Sequence, residues 1–234
     1  MAQHIFILCL LSSLLFVNGI PFDFFQLVQQ WGPNICSPAG SKCYAQPQPM
    51  FTIHGLWPSN FSTVPILCPR TKKLFPQGKV TSLEQHLNKY WPDVISGKNS
   101  NFWEHEWRKH ADCIDPPFTI FWYFDISLRH RMNKTYDLLT ILNDAGLSHQ
   151  THKDLISQNV LDPIKNATGM EPGIRCNING ITKKLQLKEI VLCFGNDGTT
   201  LIDCPSFVSN TCTSQPKFVW LLPQQSSVGV PDYP

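Results

Sequence analysis

The cysteines constrain this chain more than any other residue type. Of the nine present, Cys9 lies within Ile5 to Val17, an apolar run followed by Asn18-Gly19. That is the pattern of a secretory signal peptide with the small Gly19 at the cleavage position. The run is shorter than the roughly 20 residues that span a bilayer, and no later run approaches that length. Residues 1–19 therefore read as a cleaved signal peptide, and residues 20–234 as one secreted, extracellular domain with no membrane attachment. Eight cysteines remain: Cys36, Cys43, Cys68, Cys113, Cys176, Cys193, Cys204 and Cys212. An even number in an oxidising compartment points to four disulfides, and the lack of any C-x-x-C pair argues against zinc. Eight cysteines allow on the order of a hundred pairings, and spacing does not choose among them.

Three sequons, Asn60-Phe61-Ser62, Asn133-Lys134-Thr135 and Asn166-Ala167-Thr168, fit the same secretory route and mark the three asparagines for glycosylation. The charge balance is mild: 19 Lys+Arg against 17 Asp+Glu give a net charge of +2 and a pI near 8.1. Such a chain does not coat nucleic acid by bulk electrostatics, so any RNA or DNA chemistry must come from a local site. With 42% hydrophobic and 15% charged residues, disorder, collagen and coiled coil are excluded too.

Phe24 to Trp31 alternates, with Phe25, Leu27 and Trp31 on one side and Gln26 and Gln30 on the other. Met50 to Leu56 alternates likewise, so both read as strands. Thr81 to Trp91 reads as a helix stopped by Pro92, Asn101 to Cys113 as a second, and Phe118 to Met132 as a long buried third. Tyr136 to Ala145 makes a helix ended by Gly146, and Ser148 caps another running towards Val160. Beyond residue 170 the pattern turns to β: Leu185 to Phe194, then Thr199 to Asp203 across the hairpin sequence Gly195-Asn196-Asp197-Gly198, and a last strand over Phe218 to Leu222. About 215 residues of mixed pattern, without linker or repeat, predict a single α+β domain.

The second helix carries the densest chemistry, Phe102-Trp103-Glu104-His105-Glu106-Trp107-Arg108-Lys109-His110. With His105 as origin, an ideal helix puts Lys109 at about 40°, Phe102 at about 60°, Glu106 at about 100° and His110 at about 140°. One face then collects two imidazoles, a carboxylate, an ammonium and a ring, while Trp103 and Trp107 anchor the adjoining side. Metal binding is not expected, because Lys109 stands where a zincin needs its second histidine, and no cofactor is called for. His54 lies in Phe51-Thr52-Ile53-His54-Gly55-Leu56-Trp57-Pro58. Alone, a histidine in an apolar strand is more often a core residue than a catalyst. Beside the helix cluster the balance reverses: two histidines of opposite protonation, one taking a proton and one giving it, are the minimum for splitting a phosphodiester through its neighbouring 2′-hydroxyl. Lys109 and His105 would hold the phosphate and its developing charge.

These two stretches resemble the paired active-site segments of the ribonuclease T2 family. Residues 51–58 match the first segment in full, and residues 103–110 match the second through its catalytic histidine. The family then usually continues with glycine and threonine before a cysteine, where this chain has Ala111-Asp112-Cys113, which sets a carboxylate near the phosphate site. Phe22 to Trp31 is similar to the first strand of plant self-incompatibility S-ribonucleases. The resemblance implies a disulfide-stapled α+β domain whose central antiparallel sheet packs against several helices. It implies the pairs Cys36–Cys43, Cys68–Cys113, Cys176–Cys212 and Cys193–Cys204. It makes His110 the general base and His54 the general acid, with Glu106 and Lys109 stabilising the phosphorane and His105 holding the phosphate. Phe102 and then Trp57 would stack bases, and Gln30 would offer its amide to a base or phosphate. The implied substrate is single-stranded RNA and the implied state a monomer, with a pollen recognition protein as further partner if the chain is a pistil S-ribonuclease. A relative serving phosphate scavenging or defence is the runner-up, and a catalytically idle binding or storage glycoprotein is the alternative from another class.

The remaining histidines carry less. His86 and His130 sit in helices without a companion motif, His4 leaves with the signal peptide, and His149 and His152 read as surface residues. The clusters Arg70-Lys72-Lys73-Lys79 and Arg129-Arg131-Lys134 read as solvated faces. In the resembled S-ribonucleases, recognition is attributed to the surface between the two segments, here residues 61–101.

Overall fold

The computed structural model describes residues 19–36, 43–62, 65–69, 75–115, 118–147, 154–208, 211–214 and 217–219. In chain order these form β1 (Ile20–Pro21), β2 (Phe24–Trp31), α1 (Gly32–Ile35), β3 (Phe51–Ser59), α2 (Glu84–Tyr90), α3 (Asn99–Glu106), β4 (Ile114–Asp115), α4 (Ile120–Met132), α5 (Leu138–Asp144), β5 (Asp154–Leu155), α6 (Ser157–Thr168), β6 (Gly173–Ile178), β7 (Leu185–Gly195), β8 (Leu201–Ile202) and β9 (Phe218–Val219). The expected leader up to Asn18, Ser148, His149, His152, Arg70, Lys72 and Lys73 lie outside the described residues. The fold is α+β. The main sheet runs β3-β2-β7-β9-β5, with β6 and β8 also paired to β7. Its long ladders are antiparallel, while β7 and β9 pair in parallel, as do β1 and β4 in a separate two-stranded ladder.

Strand β2 is buried on both faces. Phe25, Leu27 and Trp31 enter the main core with α4 and the helix side chains Leu87, Trp103 and Trp107. On the other face Phe24 and Val28 join Val191, Cys193, Cys204 and Val208 in a smaller core. Gln26 and Gln30, which the alternation set opposite the apolar side, are therefore buried as well. Opposite β2 the register slips: Val28 faces Gly55 but Gln29 faces Ile53, so His54 is the extra residue of a β-bulge. A bulge frees a residue from the ladder and re-aims its side chain. The freed His54 carbonyl accepts a hydrogen bond from Trp91 Nε1 at 3.0 Å, and the Trp91 carbonyl accepts one from Trp103 Nε1 at 2.7 Å. A second bulge lies between β6 and β7, where Arg175 faces Glu189 but Cys176 faces Leu187, leaving Lys188 as the extra residue.

The helices differ from the sequence expectation in instructive ways. The segment from Thr81 begins with a 3₁₀ turn, Thr81–Leu83, before α2. The helix expected over 101–113 is α-helical only as Asn99–Glu106, then widens into a π turn over Trp107–Ala111 in which the Asp112 N–H bonds the Trp107 carbonyl, five residues back, at 3.0 Å. Thr119 caps α4 by accepting from the Trp122 N–H at 3.1 Å. The helix expected to run from Ser148 towards Val160 instead spans Ser157–Thr168: the Asn159 side chain accepts from the Ile156 N–H, Val160, Leu161 and Ile164 bury one face, and Gly169 ends it at φ +80°. Strand β6 was not expected, because Arg175 and Asn177 interrupt its apolar pattern. The hairpin partner expected over 199–203 shrinks to Leu201–Ile202, since Thr199 and Thr200 are drawn into the turn by the Asp197 carboxylate.

Arg131, read as part of a solvated face, and His130, read only as lying in a helix, are both structural. Arg131 is 7% exposed, and its Nε donates to the Phe51 carbonyl at 2.8 Å, so it ties α4 to the start of β3. His130 is buried against Phe194, with Nε2 at 2.7 Å from the Gly198 carbonyl. Arg129, Lys134, Lys79 and His86 are exposed, as are Asn133 and Asn166, while Asn60 is half-buried.

The disulfides join Cys36–Cys43, Cys68–Cys113, Cys176–Cys212 and Cys193–Cys204. Cys68–Cys113 closes 45 residues and clamps the π turn, which the Cys68 N–H also holds through the Lys109 carbonyl at 2.7 Å. Replacing both Cys68 and Cys113 by serine is expected to cost about 4 kcal/mol in the chain-entropy account. Urea unfolding of the oxidised double variant against the parent checks this; a loss under about 1 kcal/mol would show that the turn is held without the clamp.

Candidate active site

The bulge turns His54 towards Glu189, and Nδ1 lies 2.8 Å from Glu189 Oε1. Glu189 is 1% exposed and stands between Gln30 on β2 and Arg175 on β6. Burial pushes its carboxyl up, but the hydrogen bond and charge of His54, then Lys188 and Arg175, outweigh it and hold it at about 2. Lys188 Nζ is 3.1 Å from Oε1 and Arg175 is 3.3 Å from Oε2. With Nδ1 committed to a carboxylate, His54 keeps Nε2 for the cleft it lines.

His110 is set differently. It is 3% exposed within the π turn, and its Nδ1–H donates to the Ile66 carbonyl at 3.0 Å, which leaves the lone pair on Nε2. Nε2 is buried and has no hydrogen-bond partner. Burial drives the imidazole down to about 4, the Ile66 hydrogen bond opposes this, and Lys109, His54 and His105 push it further down.

Trp57 sits between the two. Its ring stacks on His110 at 5.1 Å and meets His54 edge-on at 5.1 Å, while Arg175 lies 5.2 Å over it. Its Nε1 donates to Glu106 Oε2 at 2.7 Å. That approach needs Gly55, because a Cβ there would meet Glu106 Oε2 at 2.4 Å. Trp57, expected as the second base platform after Phe102, is half-buried and also spaces the two histidines and holds Glu106.

The cleft has a volume of about 410 Å³ and is lined by Gln30, His54, Phe102, His105, Glu106, Lys109 and Lys188, with Ile35 and Asp93 to Ile95 at its edge. His105 is 60% exposed, its Nε2 at 4.0 Å from Glu106 Oε1. Six of the eight side chains singled out as catalytic or substrate-binding thus line one cleft, while Trp57 packs against the His54 ring and His110 against Trp57. Asp112, expected near the phosphate, faces another cavity with Lys79, Arg108 and Phe118, and Ala111 is core. Sequence reasoning missed Glu189, Arg175 and Lys188. The available clue was Lys188-Glu189, the charged break in the apolar run of β7.

The Ribonuclease T2 family model matches residues 22–204. Ribonuclease MC of Momordica charantia is 38% identical over 186 residues, covering 78% of this chain and 94% of that protein. The structure of ribonuclease MC1 from bitter gourd seeds superposes with a TM-score of 0.75 at 35% identity, covering 85% of this chain and all of that one. Variants of that ribonuclease are known with 5′-GMP and with 5′-UMP bound. A self-incompatibility associated ribonuclease of Nicotiana alata, SF11, gives a TM-score of 0.72 at 26% identity, over 86% of this chain and 100% of that one. Among the relatives from Solanum lycopersicum, extracellular ribonuclease LE is 34% identical (84% of this chain, 86% of that protein) and intracellular ribonuclease LX 32% (85% and 83%).

His110 titrates near 6.5 in the unfolded chain and about 4 in the folded one. The unfolded state therefore takes the proton first, and stability falls as pH drops from about 6.5 through about 4, by on the order of 3 kcal/mol. Urea unfolding at stepped pH is expected to show this slope, to which buried His130 also contributes, and His110→Phe to reduce it between pH 6.5 and 4.5, above the range where Glu189 protonates. An unchanged slope in the variant would mean that His110 titrates normally.

Proposed function

The chain belongs to the ribonuclease T2 family and is an endoribonuclease, and from that premise we propose that it cleaves single-stranded RNA without metal, by attack of the 2′-hydroxyl on its own phosphate. The observation that carries the reading is the contrast between two imidazoles on either side of Trp57. His110 is neutral, with its lone pair on an unpartnered Nε2, as a general base requires. His54 has a carboxylate at 2.8 Å to balance the charge of an imidazolium, as a general acid requires. His110 Nε2 takes the 2′-hydroxyl proton. The 2′-oxygen attacks phosphorus, and His54 gives its proton to the departing 5′-oxygen. Lys109 and Glu106 stabilise the phosphorane, and His105 holds the phosphate. The product carries a 2′,3′-cyclic phosphate. DNA, lacking the 2′-hydroxyl, is not cut.

The biological half of the proposal is a secreted, monomeric, glycosylated pistil ribonuclease of self-incompatibility, released by cleavage after Gly19, with a pollen protein as recognition partner. The net charge of +2, the S-type first strand and the likeness to SF11 support it. Identity does not separate the branches, because the S-type ribonuclease S-3 of Pyrus pyrifolia is 32% identical and ribonuclease LE 34%. Transcript confined to the style supports the reading; induction in leaf or root by phosphate starvation replaces it with the scavenging role.

His54→Asn and His110→Asn are each expected to lower the rate about a thousandfold, with 2′,3′-cyclic ends lost from the products in EDTA. A variant keeping a near-parental rate removes that histidine from the mechanism. Glu189→Gln is expected to lower kcat about tenfold with KM little changed, because Nδ1 of His54 loses the carboxylate that balances an imidazolium. A near-parental kcat would make Glu189 a packing residue only.

A further inference from the structure

A second cavity, of about 630 Å³, adjoins the catalytic cleft, and the two share Asp93 and Val94 as a common wall. Its size falls in the range of small-molecule sites, and Tyr44, Pro47, Met50 and Pro92 make it largely apolar. Thr52, also in its lining, stands directly opposite Gln30 in the sheet register, and Gln30 belongs to the cleft, so both spaces open over one sheet face. Thr52 is 4% exposed, yet its hydroxyl has no hydrogen-bond partner. A buried hydroxyl normally has one, so this group is open to a partner that enters the cavity. Tyr44 is 77% exposed with its ring flat over Gly97, whose φ of +72° and missing Cβ permit the approach, since a Cβ would meet the ring at 2.6 Å. The Tyr44 N–H bonds the Val94 carbonyl at 3.3 Å, which fixes this exposed ring to the shared wall.

The order of the two spaces gives the occupant, and this step rests on the roles proposed above. His54 protonates the leaving 5′-oxygen, so the nucleoside downstream of the cut lies on its side, beside Phe102, whose ring centre is 5.9 Å away. The cavity comes next along the sheet face. We propose that it receives the base of the second nucleotide downstream of the cut, stacked on Tyr44 and bonded by Thr52. A hydroxyl both donates and accepts, so the site accepts more than one base.

The test uses RNA oligonucleotides with a 2′-deoxy residue at the cut, which bind without turnover, measured by calorimetry on the mature protein. A trinucleotide with one extra downstream nucleotide is expected to bind about tenfold more tightly than the dinucleotide, the scale of one stacked base. The advantage is expected to vanish when that nucleotide is abasic, to fall to about twofold or less in Tyr44→Ala, and to shrink in the isosteric Thr52→Val. No advantage, or one that survives in the abasic trinucleotide or in Tyr44→Ala, overturns the proposal. Because binding is read without cleavage, failure of the two-histidine mechanism shows separately, as absent turnover of the all-ribose dinucleotide.

Discussion

Glu189 holds a negative charge at the centre of a sheet, and much of the site exists because that charge has to be balanced. A carboxylate taken out of water loses several kcal/mol of solvation, and the loss is offset only when the geometry around it is good and its lone pairs are filled. Here His54 and Lys188 take one oxygen and Arg175 the other. Arg175 is held in turn by Gln26 at 2.7 Å, and Gln26 by Ser59 at 2.9 Å. Removing one partner from such a group typically costs about 3–5 kcal/mol, so Glu189, His54, Lys188 and Arg175 behave as a unit. The consequence for chemistry is directional. Once Nδ1 of His54 is fixed on the carboxylate, its other nitrogen is the one available to substrate.

Regular secondary structure does not bring these groups together; three local departures from it do. The bulge at His54 turns an imidazole out of the ladder, and the Trp91 indole replaces the hydrogen bond that the ladder gave up. The bulge at Lys188 lets consecutive residues 188 and 189 approach the same cleft. The π turn widens the catalytic helix so that His110 is carried under Trp57 while Lys109 stays at the surface. Such irregularities concentrate at functional sites because they re-aim side chains at a local cost that packing must absorb. The Cys68–Cys113 clamp, the Cys68–Lys109 backbone bond and the His110–Ile66 bond absorb it for the π turn.

What could be read in the sequence follows from this. Long strands, helix periods and the two histidine segments are local patterns, and β2, β3, α4 and β7 lie where alternation and turn residues set them. The π turn is not a local pattern, since Trp107 to Ala111 has an ordinary helical period; the contacts that hold it, from Cys68 and Ile66, come from a segment about 40 residues earlier. Glu189 and Arg175 look like noise in their own strands and acquire a role only when the register sets them opposite each other and beside the bulge. Arg131 misled in the opposite way: its neighbours Arg129 and Lys134 are solvated, and only the position of α4 against β3 makes its guanidinium a buried donor to Phe51.

In the proposed mechanism one residue type supplies both an acid and a base, and the difference lies in what each ring touches. Burial and three nearby cationic groups disfavour the protonated form of His110, against one carbonyl that favours it. His54 meets a carboxylate whose own charge is secured by two further cations. Trp57 contacts both rings, so the distance between them does not depend on either titrating. Fixing that distance by an apolar ring rather than by a hydrogen bond matters, because a direct bond between the histidines would make them share one proton and erase the asymmetry that the reaction uses. The same indole hands its N–H to Glu106, so one ring contacts both histidines and positions the carboxylate beside them.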